Sequence, residues 1–420
     1  MKLNQLKTLA ISGCGAGIEY YDFAIFAYFA PVIAKSFFPE ESVALGIIYA
    51  FLILALGYFI RPIGGLIFGF IGDKYGRKTS FFFTMLTLAL STLLMAILPS
   101  TETIGISTAI IFALLRIIQG LAIGGEIPTA ISYSIEHFPK KKGMAISVIF
   151  SCLGLGIMLS TFVFMVISYI PVSNPLYEYG WRIAFLFGAA LSILIYFLRK
   201  GLYETPEFLA FKKEYAIKNN KIKHTKNIVI GILLVAPAAM LTTQLFLFLP
   251  SYAETYLTID KKLVSDLIFY GSCVMIFSCF LGGIISDYVN KKLFFCCLTI
   301  ATSILGHLFY SNLINGFISA FTLMLIFALF GMMASTYTVI IAEMTHIGFR
   351  CRSIGLSYNI SYSIFSAPIP ALSVVILDKY GFTMLPFWLI SGSTVLGIIG
   401  MLLLALEKYS NKRFLLSLAD

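Results

Sequence analysis

The sequence predicts an all-α integral membrane protein whose twelve transmembrane helices fall into two pseudo-symmetric six-helix halves. Three observations predict it. The 420 residues are 59% hydrophobic and only 12% charged, with a mean hydropathy of +0.93, which is more apolar surface than a soluble chain of this size can hide. Apolar runs of roughly 20 residues, each enough to cross a bilayer of about 30 Å, recur along the chain. Charged landmarks also repeat at nearly equal offset: Asp73 and Asp287 are 214 residues apart, and Glu136 and Glu343 are 207 apart.

The spans are expected to begin near residues 8, 45, 79, 104, 143, 181, 227, 264, 292, 316, 352 and 383. The first run is too long for a secretory leader and lacks a small-residue cleavage site, so it reads as a permanent span. The second opens on Arg61-Pro62-Ile63-Gly64-Gly65 and closes in a tight charged turn, Gly72-Asp73-Lys74-Tyr75-Gly76-Arg77-Lys78. Its glycines Gly64, Gly65, Gly69 and Gly72, with Gly120, Gly124 and Gly125 of span 4, have the spacing that lets helices approach closely. Span 4 ends at Glu136, ahead of Lys140-Lys141-Lys142-Gly143. Arg199 to Lys226 is the one long polar segment, with eight Lys or Arg and three Glu, and reads as a linker. The expected organisation is therefore an N-terminal half at 1–200, a cytoplasmic linker at 201–226, a C-terminal half at 227–407 and a short tail at 408–420. In the second half, span 7 carries Pro237 and Pro250, which permit a bend. Span 8 ends in Gly282-Gly283-Ile284-Ile285-Ser286-Asp287, and span 10 ends at Glu343 ahead of Arg350, Arg352 and Gly355.

With an even number of spans both termini share one side. That side collects 23 of the 30 Lys and Arg residues; Lys35, Arg182, Lys261, Lys262 and Lys379 fall on the other, and Arg61 and Arg116 lie within spans. The asymmetry places the termini and the linker in the cytoplasm. The net charge of +10 then marks a membrane face next to anionic lipid, and its scatter over short loops argues against a nucleic-acid partner. The seven cysteines show no CxxC spacing and read as packing residues, with no metal site.

Ionisable groups inside spans are costly and are functional candidates by default. A rise of about 1.5 Å per residue puts Asp22 roughly 21 Å, Glu19 about 16 Å, Arg61 about 18 Å and Glu126 about 15 Å from the cytoplasmic ends of their helices. These four should converge near the midplane, with Arg116 about 15 Å above Glu126. Three carboxylates facing two arginines in a low-dielectric core cannot all be ionised and paired, so one of them should bind a proton reversibly. Asp22 or Glu19 is the expected proton carrier, followed by Glu126. Arg61 and Arg116 are candidates to hold a substrate carboxylate in the guanidinium fork, with Gln119 and Tyr20 beside them. The second half offers uncharged cavity candidates: Gln244, Tyr337, Asn359 and Tyr362. Asp73, Arg77, Glu136 and Lys140 to Lys142, and Asp287, Glu343, Arg350 and Arg352, are expected at the cytoplasmic face. There, ion pairs among them would latch spans 2, 4 and 5, and spans 10 and 11, as surface pairs of about 0–1 kcal/mol each.

The turn Gly72 to Lys78 resembles the loop motif of the major facilitator superfamily, and the likeness covers almost the full chain. Glu19-Tyr20-Tyr21-Asp22-Phe23, Arg61-Pro62 with Gly64-Gly65, and Gln119-Gly120 with Gly124-Gly125-Glu126 narrow it. So do Gly180-Trp181-Arg182, Glu204-Thr205-Pro206-Glu207, Ala342-Glu343-Met344 and Gly355-Leu356-Ser357-Tyr358-Asn359. Together they look like the metabolite:proton symporter family, which includes proline/betaine, 2-oxoglutarate, citrate and shikimate permeases. Two features depart from it. The second loop motif ends in Asn290-Lys291-Lys292 instead of Gly-Arg, and the tail is short where osmosensing proline/betaine carriers have a long coiled-coil extension. The resemblance implies alternating-access uptake of a small polar metabolite across a bacterial inner membrane, with the proton as coupling ion, no cofactor, and a monomer as the working unit. Three carboxylates against two arginines favour a zwitterion of the proline/betaine type, with a mono- or dicarboxylate the alternative. A drug or metabolite exporter, or a transport-inactive sensor of the same fold, is the rival reading. No nucleophile elbow, HExxH or P-loop suggests an enzyme, and no catalytic residue is expected.

Overall fold

The structure is a computed structural model that describes residues 3–38, 43–171, 174–215 and 225–417. The stretch 216–224 of the expected linker and the last three residues of the expected tail lie outside the described residues. Among those described, every regular element is helical. Eleven helices are long and apolar enough to cross a membrane. A twelfth, α1 (Leu3–Phe37), is 35 residues long and carries Glu19 and Asp22 in its middle. The observed helices start within a turn or two of each expected span. The chain divides into two compact units, Met1–Asn220 with His346–Gly355, and Lys221–Thr345 with Leu356–Asp420.

The first unit holds α1, α2 (Val43–Tyr75), α3 (Arg77–Ile97), the short α4 (Thr101–Ile104), α5 (Ser107–His137), α6 (Lys142–Ser168), α7 (Pro175–Lys200) and α8 (Pro206–Tyr215). Only Gly76 separates α2 from α3, at φ +114°, a backbone conformation that favours glycine. Close helix approach follows from the glycines. A Cβ on Gly64 would strike the backbone of Leu121, and one on Gly124 the carbonyl of Arg61, so α2 and α5 touch backbone to backbone. Gly156 of α6 meets the Gly17 carbonyl of α1 in the same way. Towards the end away from Gly76 the core is aromatic: Phe26, Phe29, Phe37, Phe112, Trp181 and Phe185 are buried together.

The second unit runs from α9 (Thr225–Thr242) through a π-helical stretch, Thr243–Phe248, into α10 (Leu249–Leu257), and on to α11 (Lys261–Tyr288), α12 (Lys291–Ile314) and α13 (Ala320–Met344). Most of α14 (Arg350–Phe365), then α15 (Ile369–Tyr380) and α16 (Leu385–Ser417), complete it. Asp260, Asn290 and Ser319 cap α11, α12 and α13 by accepting backbone N–H bonds. In span 7, where the two prolines permit a bend, a π-helical stretch lies between Pro237 and Pro250. Such stretches are rare and cluster at functional positions. The 3₁₀ turn Ile347–Phe349 and the first residues of α14 group with the first unit, and this places Arg350 and Arg352 there.

Candidate transport site

Asp22 is fully buried on α1. Its Oδ2 accepts from Thr92 Oγ1 of α3 at 2.7 Å and from Gln119 Nε2 of α5 at 3.2 Å. The same Gln119 amide nitrogen donates to Thr92 at 2.9 Å. Gln119 Oε1 accepts from Arg116 Nη1 one turn away, and the Arg116 guanidinium lies 4.1 Å from the Phe26 ring and 5.3 Å from Phe185. Asp22 Oδ1, by contrast, has no hydrogen-bond donor. Gly188 of α7 makes room for it, since a Cβ there would lie 2.5 Å from that oxygen. The result is a buried relay, Arg116–Gln119–Asp22–Thr92, with one carboxylate oxygen anchored and the other, also buried, without a donor.

Glu19, one turn earlier, is also fully buried. Arg61 Nη1 stands 3.6 Å away, an ion pair longer than a hydrogen bond, and neither Glu19 oxygen has a hydrogen-bond donor. Arg61 lies over the Tyr58 ring at 4.3 Å. A cavity of about 10 Å³ borders Arg61, Arg116, Gln119, Tyr58 and Phe23; about one water probe fills such a space. Both arginines expected to hold substrate therefore face one small internal space within the first unit. Tyr20 is half-buried on the same helix.

Glu126 does not join this group in the expected way. It is paired with Arg199, Nη2 to Oε1 at 2.5 Å, and its Oε2 accepts from Thr84 at 2.7 Å. Arg199 also donates to the Ser12 carbonyl at 2.8 Å and covers the Phe81 ring at 4.0 Å. Arg199 was expected to open the polar segment, at the close of the half ending at residue 200; α7 runs through Lys200, and Arg199 is only 4% exposed. Gly15 makes this possible, because a Cβ at that position would collide with both Arg199 and Glu126. The charge count is thus three carboxylates to three arginines, and the zwitterion preference drawn from three against two falls away.

At the end of the first unit marked by Gly76, five of the expected latch residues form one network. Arg77 Nε donates to Glu136 at 3.0 Å, and its Nη2 to Glu136 Oε1 at 2.8 Å and to the Ile347 carbonyl at 2.7 Å. Arg350 Nη1 reaches the same Glu136 Oε1 at 2.8 Å. Asp73 accepts from Arg352 Nε at 3.0 Å and from the backbone N–H groups of Cys351 and Arg352 at 2.9 and 3.2 Å. The side chains of Arg77 and Glu136 are fully buried, so the expectation of weak surface pairs is corrected: removing one partner of a buried pair costs about 3–5 kcal/mol. Glu343 is corrected as well. It pairs with Lys291 at 3.0 Å, and both are partly exposed, rather than with Arg350. Asp287 is half-buried in the second unit, while Lys140 and Lys141 are exposed.

Three contributors were missed by the residue-level reading. Thr205 donates to Glu136 at 2.6 Å, Glu207 meets Arg350 at 3.4 Å, and Glu204 accepts from the N–H groups of Arg77 and Lys78 at the start of α3. The signal was present, since Glu204-Thr205-Pro206-Glu207 is one of the motifs carrying the resemblance; only its physical role was lacking.

In the second unit the expected polar residues are buried. Gln244, in the π-helical stretch, has Nε2 3.9 Å from Met240 Sδ and no donor to its Oε1. Tyr362 bonds Thr242 at 3.2 Å and stacks on Tyr358 at 4.5 Å. Tyr337 is buried on α13, and Asn359 is buried on the same helix as Tyr362. His307 is exposed beside the Phe387 ring.

Two membrane-embedded helical units, one with buried ion pairs, define a polytopic carrier. A profile described as Major Facilitator Superfamily matches residues 13–367, and the chain belongs to that superfamily. The chain is 29% identical over 415 residues to the "Proline/betaine transporter" of Salmonella typhimurium, covering 94% of this chain and 82% of that protein. It is 37% identical over 211 residues to the "Shikimate transporter" of Escherichia coli, covering half of this chain and 48% of the relative. The solved structure of the proton:xylose symporter XylE bound to 6-bromo-6-deoxy-D-glucose superposes with a TM-score of 0.77 at 15% identity, covering 95% of this chain and 94% of that one. The chain is therefore a multi-pass membrane transporter, not an enzyme.

Proposed function

We propose that the chain imports a small carboxylate-bearing metabolite together with a proton, with Asp22 as the proton carrier. The observation that carries this reading is the asymmetry of the buried Asp22 carboxylate, one oxygen held by Thr92 and Gln119 and the other without a donor. Protonating Oδ1 neutralises Asp22 without breaking either anchor. With Glu19 and Glu126 still ionised beside Arg61 and Arg199, the core then carries one surplus positive charge, on Arg116. An anionic carboxylate held between Arg61 and Arg116, once the one-water space there widens as the carrier opens, cancels it. Proton and substrate thus load as a neutral pair, and charge no longer opposes the rocking motion of alternating access. Glu126 takes a structural role because Arg199 and Thr84 satisfy it, and Glu19 remains the second proton site. Gln244, Tyr337, Asn359 and Tyr362 remain the uncharged substrate-contact candidates of the second unit.

A shikimate-like monocarboxylate meets this balance directly, whereas a proline/betaine-type zwitterion offers the same carboxylate to the two guanidinium groups but leaves its own cation to be balanced. The names of the relatives support a carboxylate-bearing class. We further propose a bacterial inner-membrane location with both termini cytoplasmic, from the distribution of Lys and Arg. Asp73, Arg77, Glu136, Arg350 and Arg352 serve as a reversible cytoplasmic latch on the 346–355 segment. The test is uptake of labelled proline, betaine, 2-oxoglutarate, citrate and shikimate into proteoliposomes, with and without an inward proton gradient. At least one should accumulate against its gradient, and a protonophore should abolish the accumulation. Uptake indifferent to the gradient would reject proton coupling, and binding without flux would identify a sensor.

A further inference from the structure

Away from the transport site, α3 and α7 frame a pocket of about 140 Å³ lined by Lys78, Phe81, Phe82, Tyr196, Arg199 and Lys200. On the measure by which about 10–15 Å³ holds one water, it accommodates a group of several heavy atoms. We propose that it binds the phosphate of an anionic phospholipid. Four observations point there. Its charged lining residues are all basic: Arg199 is paired with Glu126, and Lys78 and Lys200 have no paired acid among the lining. The two lysines are held together, with Lys78 Nζ donating to the Lys200 carbonyl at 3.0 Å. Arg199, buried behind them, has an Nε without a hydrogen-bond partner. Glu204, the acid of that turn, has its oxygens occupied by the N–H groups of Arg77, Lys78 and Thr205. The pocket also opens beside an apolar outer face. Phe82 packs on Tyr196 at 5.0 Å, and Phe83, Leu194 and Phe197 are 45%, 52% and 58% exposed, as lipid-facing side chains at an interface are. Basic groups at the end of a span with aromatic neighbours suit a headgroup whose acyl chains lie along the α3–α7 surface. The test is native mass spectrometry of the full chain with dioleoylphosphatidylglycerol and with dioleoylphosphatidylcholine. One phosphatidylglycerol should be retained in preference to phosphatidylcholine. Lys78→Gln with Lys200→Gln should weaken its binding about 30-fold, whereas Lys78→Arg with Lys200→Arg should preserve it. Unchanged binding in the double Gln variant, equal retention of the two lipids, or the same loss in Lys140→Gln with Lys141→Gln would overturn the assignment. Displacement by inorganic phosphate would overturn it too, in favour of a soluble anion.

Discussion

Arg199 and Glu126 form a buried ion pair at 2.5 Å, on a site cleared for them by Gly15. The pair separates two kinds of buried carboxylate in one bundle: Glu126, which is fully satisfied, and Asp22, which is half satisfied. Replacing Glu126 by Gln leaves Arg199 buried without its counter-charge, a loss of about 3–5 kcal/mol. The expected outcome is a markedly lower melting temperature in detergent, with stimulation by a proton gradient retained in the folded fraction. Normal thermal stability together with lost coupling would reverse the assignment of roles.

Gln119 ties the proton site to the substrate site. Gln119→Ala removes one donor from Asp22 and the acceptor of Arg116. Hydrogen bonds to charged groups are worth about 1.5–3 kcal/mol each, so the apparent KM for the transported solute should rise on the order of 10- to 100-fold. Initial-rate uptake measured against solute concentration at several pH values checks this. An unchanged KM and pH profile would remove Gln119 from the mechanism.

The latch residues should divide by burial. Arg77→Ala strips the buried Glu136 of its main partner and should cost about 3–5 kcal/mol. Lys291→Ala, at the partly exposed Glu343 pair, should change stability by no more than about 1 kcal/mol. Thermal unfolding of the two variants side by side decides the point, and equal effects would contradict it.

Helix contact at α2 and α5 should tolerate no side chain. A Cβ on Gly124 would lie on the Arg61 carbonyl, whereas one on Gly392 would meet nothing within 4 Å. Gly124→Ala should therefore yield misassembled protein on size-exclusion chromatography, and Gly392→Ala should elute as the wild type does.

The fold was legible because it rests on apolar run length and on repeated charged landmarks, both of which are local in sequence. Buried charge in span 1 was legible for the same reason, since Glu19 and Asp22 interrupt an apolar helix. Pairing was not. Arg199 sits one residue before the end of α7, at a boundary where composition alone cannot separate a buried side chain from a solvated one. What decides its position is Gly15, far away in sequence, whose missing Cβ leaves the space. The latch was half legible: its acids and bases were named, but Glu136 draws Arg77, Arg350 and Thr205 from three distant segments. An irregularity in span 7 could be expected from Pro237 and Pro250, whereas its π-helical form could not.

The most direct measurement on the central claim compares Asp22→Asn with wild type in proteoliposomes, by counterflow and by gradient-driven uptake of the same labelled solute. Asn keeps the shape and the anchors of Oδ2 but cannot carry the proton. The expected result is counterflow close to wild type with gradient-driven accumulation abolished. Wild-type accumulation by the variant would contradict Asp22 as the proton carrier.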